Sequence, residues 1–503
     1  MSSCTHNERC PSGLIADTAE RYGDPYVAKN DLDRRKFIRL AFLSSALPLS
    51  PSWTLKGEEE QATQAVEPIF TFTLSNDLKQ QITGWGCFPG WVAWGERIAT
   101  DKSLQDAIYR DLGITVARVP IMPEYGNPDG SLNFDAIDKS LAKQIRTMRD
   151  YGITKWIVTT WSPPTYMKTL ATSKGNQDGR PNRLKPEFED AFVKYYVQVL
   201  VHLRDTQNLG APIYATIQNE PDYAAEWDGC VYDPEQWRRV TKRLRKTLDD
   251  ANLTSVKVHG TDHNHYTLRK FFGPGLSAVT SDPEMFKALD GIAFHSYSEG
   301  KESGGTASIE ARDLILKFKG MKPDAEIWET EFCTTVVEDL TDSAIHHLRS
   351  MMRDIGYLQA NAYFHWLGSA DTPKFRGEEL IYNGTKTKLY FVLQRLWNSV
   401  VPGTFSVKTL AGNDQSVLSA FSPDPMDMLA FVGKGKTIIL LTNPTLKTTK
   451  LTIKGLTGTS MSLSRTSDHE DMAAIGSQTI DTGEAIVSIP ARSILVLETN
   501  CDV

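Results

Sequence analysis

Short apolar runs alternate with longer helix-like segments between residues 80 and 370. Eight runs have the length and apolar character of buried strands: 80–87, 114–122, 155–163, 213–221, 256–264, 291–297, 326–332 and 362–368. The segments between them repeat apolar residues at three- and four-residue steps, as amphipathic helices do. Two such stripes are Phe188, Phe192, Tyr195, Val199 and Leu203, and then Trp237, Val240, Leu244 and Leu248. This alternation predicts a (β/α)₈ TIM barrel. A doubly wound sheet is disfavoured because no Gly-rich dinucleotide fingerprint follows an early strand.

The pattern changes after Pro402, where short strands are separated by Gly, Asn, Asp and Pro. This pattern of short strands and turn residues predicts an associated C-terminal antiparallel β-sandwich. A further run, IFTFTLS at 69–75, precedes the barrel and is expected to pair with that C-terminal sheet. The predicted domains are an N-terminal leader at 1–66, the first strand of the side β domain at 67–80, the barrel at 81–402 and the β-sandwich at 403–503.

The N-terminal leader contains the run DLDRRKFIRLAFLSSALPLS at 31–50. This run resembles a bacterial twin-arginine export signal, because Arg34 and Arg35 are adjacent and an apolar stretch follows them. The apolar stretch is too short to span a bilayer. A basic amphipathic helix is the alternative. No A-x-A cleavage site follows, so the mature start stays open. We expect export to the periplasm or the extracellular space, without stable membrane insertion.

Composition narrows the class of protein further. The chain has 503 residues, is 40% hydrophobic and carries a formal net charge of −7, with no basic footprint for nucleic acid. Six cysteines without C-x-x-C spacing predict neither a disulfide scaffold nor a cysteine metal site. The proportions of hydrophobic and charged residues are those of a soluble globular protein with a large core. Oligomeric state and disulfide pairing stay open.

Polar and aromatic side chains stand where the predicted strands end, which is where TIM-barrel enzymes place their reacting groups. Two carboxylates, Glu220 after strand 4 and Glu331 at the end of strand 7, are expected to face one mouth. Such a pair is typical of glycoside hydrolysis. Trp161 and Trp366 at the same rim fit sugar rings, whose C–H faces stack on aromatic planes. The alternative is that each carboxylate forms an ion pair, for example with Arg118 on strand 2.

Several of these stretches occur together in the order of glycoside hydrolase family 30, which the chain resembles from about Phe70 to its C-terminus. They are WGCFPGW, TTWSPPTYMKT, IQNEP, FHSY, WETEFC and LYFVLQRLWNSVVPG. The resemblance implies a barrel with a side β-sandwich built from both chain ends, and hydrolysis that retains anomeric configuration through a covalent glycosyl-enzyme. It implies neither a metal nor another cofactor.

The motifs assign roles to particular residues. By resemblance, Glu220 is the acid/base and Glu331 the nucleophile, which Arg118 and Tyr297 are expected to keep ionised by charge and hydrogen bonding. Asn219 is placed to hold the sugar 2-hydroxyl. The other predicted substrate-binding residues are Trp85, Trp161, His263, His295 and Trp366. Retention further predicts carboxyl groups about 5–5.5 Å apart.

Some alternatives remain open at this stage. Glu329 rivals Glu331, since residues two apart share a strand face. His259, His263 and His265 share parity on strand 5 and could bind a metal, although such residues more often line a sugar subsite. Cys333 is either a reactive thiol or a small buried filler. A barrel that binds carbohydrate without cleaving it is the alternative from another class.

The substrate is the least determined part of the prediction. Relatives with this layout cut xylan or β-1,6-linked glucan and galactan, or act as exo-acting β-xylosidases, β-glucosidases or β-fucosidases. The aromatic loop DYAAEWDGCVYDPEQW after strand 4 favours a polysaccharide. The loop after strand 8 contains Lys374 and Arg376 but also Glu378 and Glu379, which does not match a glucuronate-binding pattern clearly.

Overall fold

The computed structural model describes residues 70–297, 303–334, 340–371, 378–411, 415–416 and 426–500. The export-like segment at 31–50, Cys4, Cys10 and Cys501, and Lys374 and Arg376 lie outside these residues. None of the helices in the described ranges is both long and apolar enough to cross a membrane.

Eight parallel strands close into a barrel, in chain order around the ring. They are Gly84–Cys87, Val116–Ile121, Lys155–Thr160, Tyr214–Ala215, Lys257–Asn264, Gly291–His295, Glu326–Phe332 and Ala362–His365, and we number them barrel strands 1 to 8. Each coincides with one of the eight predicted apolar runs, so the predicted (β/α)₈ fold is confirmed. The fourth strand is much shorter than predicted, because its ladder ends at Ala215 and the chain from Thr216 onward follows an irregular path.

The α-helical segments surround this ring. They are Lys102–Gln105, Phe134–Ile137, Lys143–Asp150, Glu189–Val201, Pro234–Asp250, Leu268–Phe272, Ser277–Thr280, Pro283–Ala288, Ser303–Met321, Leu340–Gly356 and Lys388–Ser399. Helix Pro234–Asp250 starts where the Asp233 carboxylate accepts from the Gln236 amide, with a proline in its first turn. Its predicted apolar stripe is buried. The helix is therefore determined by its cap and its buried face together.

The C-terminal β domain is a mostly antiparallel sheet. Its strands are Phe70–Gln81, Phe405–Ala411, Gln415–Ser416, Asp427–Gly433, Lys436–Asn443, Thr449–Lys454, Ser460–Ser467, Glu470–Thr479, Glu484–Ile489 and Ser493–Asn500. Strand Phe70–Gln81, which precedes the barrel, pairs with Phe405–Ala411 and Thr449–Lys454. The sheet is thus built from both sides of the barrel sequence, as expected for the run at 69–75. The remaining short strands are Asn176–Gln177, Arg180–Pro181, Leu367–Ala370, Glu379–Tyr382 and Thr385–Lys386.

The sheet has two apolar faces, and each packs on a different core. Alternate residues such as Phe431 and Leu440 join the cluster that includes the barrel helices. Their neighbours Ala430 and Leu441 belong to a second cluster inside the β domain. This alternation follows from the two-residue period of a strand. The barrel and the β domain therefore share a packed apolar interface.

Trp85 belongs to that interface, and its predicted role in substrate binding is wrong. Its indole is fully buried, stacks on Trp397 with ring centroids 5.9 Å apart, and meets Phe431 edge-on at 6.2 Å. The indole N–H donates to the Val400 carbonyl. Residues in a strand alternate between faces, so Gly86 faces the barrel interior, where an added Cβ would meet Phe364, and Trp85 faces outward.

Candidate active site

Glu331 lies at the end of barrel strand 7 and is held on both of its oxygens. Oε2 accepts from Arg118 Nη1 at 2.5 Å, and Oε1 accepts from the Tyr297 hydroxyl at 3.1 Å. Arg118 comes from strand 2 and is 1% exposed, and Tyr297 follows strand 6. Glu331 itself is 6% exposed. The predicted ion pair with Arg118 exists, and it is made by Glu331.

Glu329 is placed quite differently from Glu331. It is fully buried, and its oxygens accept from the backbone amides of Glu331 and Phe364, each at 3.1 Å. The pairing between strands 7 and 8 shifts register after Glu329. At that shift the Glu329 carboxyl group accepts hydrogen bonds from these two backbone amides. Burial, together with the charge of Asp354, raises the pKa of Glu329 well above its usual range. These contacts suit a structural group better than one that attacks a ligand.

Glu220 follows the fourth barrel strand on the irregular segment that starts at Thr216. It is 4% exposed and adopts a left-handed backbone conformation with φ of 46°. Its amide donates to the Asp262 carbonyl, and the Asn219 amide donates to the Thr160 carbonyl of strand 3. A non-glycine residue in this region costs on the order of 1–3 kcal/mol. Such strain is found where a side chain must point in one particular direction.

Two histidines approach the same oxygen of Glu220. His295 Nδ1 lies 3.3 Å from Oε1, and His263 Nδ1 lies 3.7 Å from it. The other nitrogen of His263 pairs with the Asp222 carboxylate, which Lys270 also contacts at 3.0 Å. Burial lowers the pKa of His295, but the charge of Glu331 and hydrogen bonds to Asp262 and Glu220 outweigh it and raise that pKa to about 9. His295 is therefore cationic at neutral pH.

Asp262, on strand 5, links the two halves of the site, and we did not single it out from the sequence. Its carboxylate accepts from Arg118 Nη2 at 3.0 Å, Thr216 Oγ1 at 2.8 Å and Thr330 Oγ1 at 2.7 Å. It also lies 3.4 Å from His295 Nε2. Burial opposes its ionisation, but the Arg118 charge and these hydrogen bonds hold its pKa far below the usual range. Asp262 is thus the counter-charge that permits Arg118 and His295 to be buried.

The three histidines of strand 5 do not converge, contrary to what their common parity suggested. A register shift between Thr261 and His263 breaks the alternation. His259 lies against Tyr214, with ring centroids 3.7 Å apart, and His265 Nε2 lies 3.1 Å from the Ser308 hydroxyl. Only His263 reaches the mouth.

A different trio has metal-compatible spacing. Glu220, His263 and His295 each place one possible ligand atom within 4.8 Å of the other two. This is the only such group among the described residues. A metal ligand must be a neutral imidazole, whereas the charge of Glu331 and the contacts with Asp262 and Glu220 raise the pKa of His295 to about 9 and so favour its protonated form. We therefore interpret this trio as part of an acid–base network.

Four buried aromatic rings pack together into one wall beside Arg118. Trp161 lies 5.8 Å from Trp366 and 5.5 Å from Trp91 between ring centroids, and Phe88 stacks on Trp366 at 5.2 Å. The Arg118 guanidinium lies 4.7 Å from the Trp161 ring. Trp366 is 8% exposed and donates from its indole nitrogen to Glu378 at 3.2 Å. Phe88 and Trp91 were part of the motif WGCFPGW, but the sequence did not show that they join this wall.

Asn219 is positioned by Arg118. Arg118 Nη2 donates to Asn219 Oδ1 at 2.7 Å, so the amide is oriented by the same guanidinium that holds Glu331. Of the predicted site residues, Arg118, Asn219, Glu220, His263, His295, Tyr297 and Glu331 are joined in one network, and Trp161 and Trp366 lie in the adjacent wall. Cys333 is buried, and its sulfur lies 3.7 Å from the Tyr297 hydroxyl.

Comparison with known proteins adds the family context. No family model matches the chain. A GH30 endoxylanase from Clostridium papyrosolvens C71 superposes with a TM-score of 0.67 at 18% identity, covering 86% of this chain and 100% of that one. The chain resembles glycoside hydrolase family 30. At this identity the likeness establishes the fold, and it agrees with the resemblance seen in the motifs.

Two other relatives extend this picture. The endo-β1,6-glucanase BT3312 superposes with a TM-score of 0.62 at 16% identity, covering 86% of this chain and 94% of that one. The glucuronoxylanase XynC of Bacillus subtilis (strain 168) is 27% identical over 172 residues, 34% of this chain and 34% of that protein. That sequence match spans about a third of the curated relative's length.

Proposed function

We propose that this protein is a retaining glycoside hydrolase that cleaves β-glycosidic bonds in a polysaccharide of the xylan or β-1,6-linked glucan or galactan type. One observation carries the proposal. Two buried carboxylates, one on the segment after strand 4 and one at the end of strand 7, have different partners. Glu331 contacts an arginine and a tyrosine, and Glu220 lies near two histidines. A retaining mechanism needs two carboxyl groups with separate tasks.

In the first step, a carboxylate oxygen of Glu331 attacks the anomeric carbon. The bond from that carbon to the leaving oxygen breaks, and the leaving oxygen keeps the electron pair and takes the proton of Glu220. The product is a glycosyl ester of Glu331. Arg118 and Tyr297 orient the attacking carboxylate, and Asn219, fixed by Arg118, faces the sugar 2-hydroxyl.

In the second step, water attacks the same carbon while Glu220 takes the proton of that water. The bond to Glu331 breaks and its carboxylate is restored, so two inversions give net retention. The role of Glu220 therefore changes from acid to base within one turnover. A carboxyl separation of about 5–5.5 Å remains our prediction for this site.

The preference for a polymer rests on the loop after strand 4. Tyr223 and Trp227 of this loop lie with ring centroids 5.6 Å apart, and both are half-buried. The loop joins the one after strand 3, since Gly175 donates to the Trp227 carbonyl and Gly229 to the Ser173 carbonyl. Aromatic rings on a loop that is held by such hydrogen bonds suit the binding of the leaving-group side of a sugar polymer. Xylan and β-1,6-glucan are also what the names of the relatives indicate for those proteins.

The test is a hydrolysis screen of purified protein on glucuronoxylan, arabinoxylan, β-1,6-glucan, β-1,6-galactan and aryl β-glycosides, with products resolved by size. Oligosaccharides from one polymer are the expected result. Release of monosaccharide alone would overturn the polymer assignment in favour of an exo-acting β-glycosidase. Binding without hydrolysis by the folded protein would replace the catalytic proposal with a carbohydrate-binding barrel.

We also propose that the protein is exported, because Arg34 and Arg35 precede an apolar stretch in the manner of a twin-arginine signal. Fusion of residues 1–66 to a reporter that works only outside the cytoplasm tests this. Reporter activity that disappears when both arginines are changed to lysine is expected. Activity that survives the change would refute the signal.

A further inference from the structure

Glu220 must be protonated before the first step and ionised before the second, so its surroundings have to permit both states. His295 favours the ionised state, because the cationic ring lies 3.3 Å from Oε1. A second group is needed to oppose this bias. The structure provides one near the same oxygen.

That group is His263, whose orientation is fixed by Asp222. One ring nitrogen, Nε2, lies against the Asp222 carboxylate, so it carries the hydrogen that this acceptor requires. In the neutral ring the lone pair is then on Nδ1, which faces Glu220 Oε1 at 3.7 Å. At 3.7 Å this contact is electrostatic and not a hydrogen bond. The lone pair favours a protonated carboxyl group and repels an ionised one.

Charged and titratable groups face His263 from several packed elements. Asp222 is on the loop after strand 4 and is itself paired with Lys270 of helix Leu268–Phe272, which balances its charge. His295 is on strand 6, with its ring centroid 6.5 Å from that of His263. Glu220 is the remaining partner. His263 is 4% exposed, so these contacts and not bulk water set its orientation.

We propose that His263, held by Asp222, is a positioning residue that keeps Glu220 ready to donate its proton. This inference rests on the proposed glycosidase function and extends it. His263 touches no reacting atom of the substrate. It acts only through Glu220, and its importance therefore depends on how much proton donation the leaving group needs.

The test compares His263→Gln and Asp222→Asn with wild type on two aryl β-glycosides of one sugar, one with a dinitrophenyl and one with a phenyl leaving group. His265→Gln is the matched control, since His265 is also buried and lies just after the same strand but contacts Ser308. Melting temperatures establish that each variant is folded. The value of kcat/KM reports the first step, in which Glu220 acts as the acid.

We expect kcat/KM of His263→Gln to fall roughly 10- to 100-fold on the phenyl glycoside, within the range of general acid catalysis, and less than about 3-fold on the dinitrophenyl glycoside. Asp222→Asn should lose activity in the same leaving-group-dependent way, and His265→Gln should behave as wild type. Adding His263→Gln to Glu220→Ala should cause no further loss.

Equal losses on both leaving groups, or a further loss in the Glu220→Ala background, would overturn the proposal. So would an equal effect of His265→Gln. These outcomes are distinct from failure of the proposed function, in which folded wild-type protein hydrolyses neither glycoside and none of the polymers.

Discussion

Asp262→Asn tests whether one buried carboxylate stabilises the whole site. Asp262 accepts from Arg118, Thr216 and Thr330 and lies beside His295, and it and Arg118 are each about 1% exposed. Removing one partner from a buried ion pair costs about 3–5 kcal/mol, because the other charge stays in a low-dielectric environment. Here Arg118 retains Glu331, so we expect the lower end, about 3 kcal/mol.

The assay is urea unfolding followed by tryptophan fluorescence and circular dichroism. The shift in the urea midpoint is converted into a change in unfolding free energy with one m value for both proteins. The control is Asp135→Asn, which removes a surface pair with Lys139 in which both side chains are more than 70% exposed. We expect no measurable change there. A loss below about 1 kcal/mol for Asp262→Asn would refute the view that Asp262 is the required counter-charge.

Two further predictions concern the same network, and a third concerns the interface between the barrel and the β domain. Glu331→Gln should lower kcat by more than about 10³-fold while the protein stays folded, measured on the substrate that the screen identifies. His295 has a folded pKa raised to about 9, so its contribution to stability is fully present below its unfolded pKa near 6.5 and is lost as pH rises through 9. The difference in unfolding free energy between wild type and His295→Gln should therefore shrink by about 3 kcal/mol across that window, and a difference independent of pH would contradict the assignment. Trp85→Ala should cost about 3–5 kcal/mol of stability without changing KM, because the ring packs on Trp397 and Phe431 away from the mouth; a raised KM with unchanged stability would contradict it.

Much of the fold follows from local patterning. Most barrel strands are short apolar runs bounded by helical periodicity, and the C-terminal strands are separated by turn residues, so their types can be predicted from this sequence. The positions of the two carboxylates could also be predicted, because Glu220 and Glu331 each come late in a run predicted as a buried strand. The fourth strand itself ends earlier than predicted, at Ala215. The charges alone do not show which carboxylate is the acid/base and which is the nucleophile. The resemblance of the motifs to the family suggests that assignment.

What the sequence could not show depends on register and on facing direction. Trp85 and Trp161 look alike in sequence, yet one faces the β domain and the other the mouth. On strand 5, a register shift after Thr261 directs Asp262 into the site and separates His263 from His259 and His265. The alternation rule assumes an unbroken ladder, so it fails at such a shift. Asp222 was missed because its importance comes only from its contact with His263.

The most direct test of the central claim is to identify the residue that bonds to the sugar. The protein would be incubated with a 2-deoxy-2-fluoro glycosyl fluoride of the sugar that the screen identifies, digested, and analysed by peptide mass spectrometry. The account predicts time-dependent inactivation with one glycosyl group on Glu331. A glycosyl group on Glu220 or Glu329 would contradict it, as would hydrolysis that releases the inverted anomer without any labelled peptide.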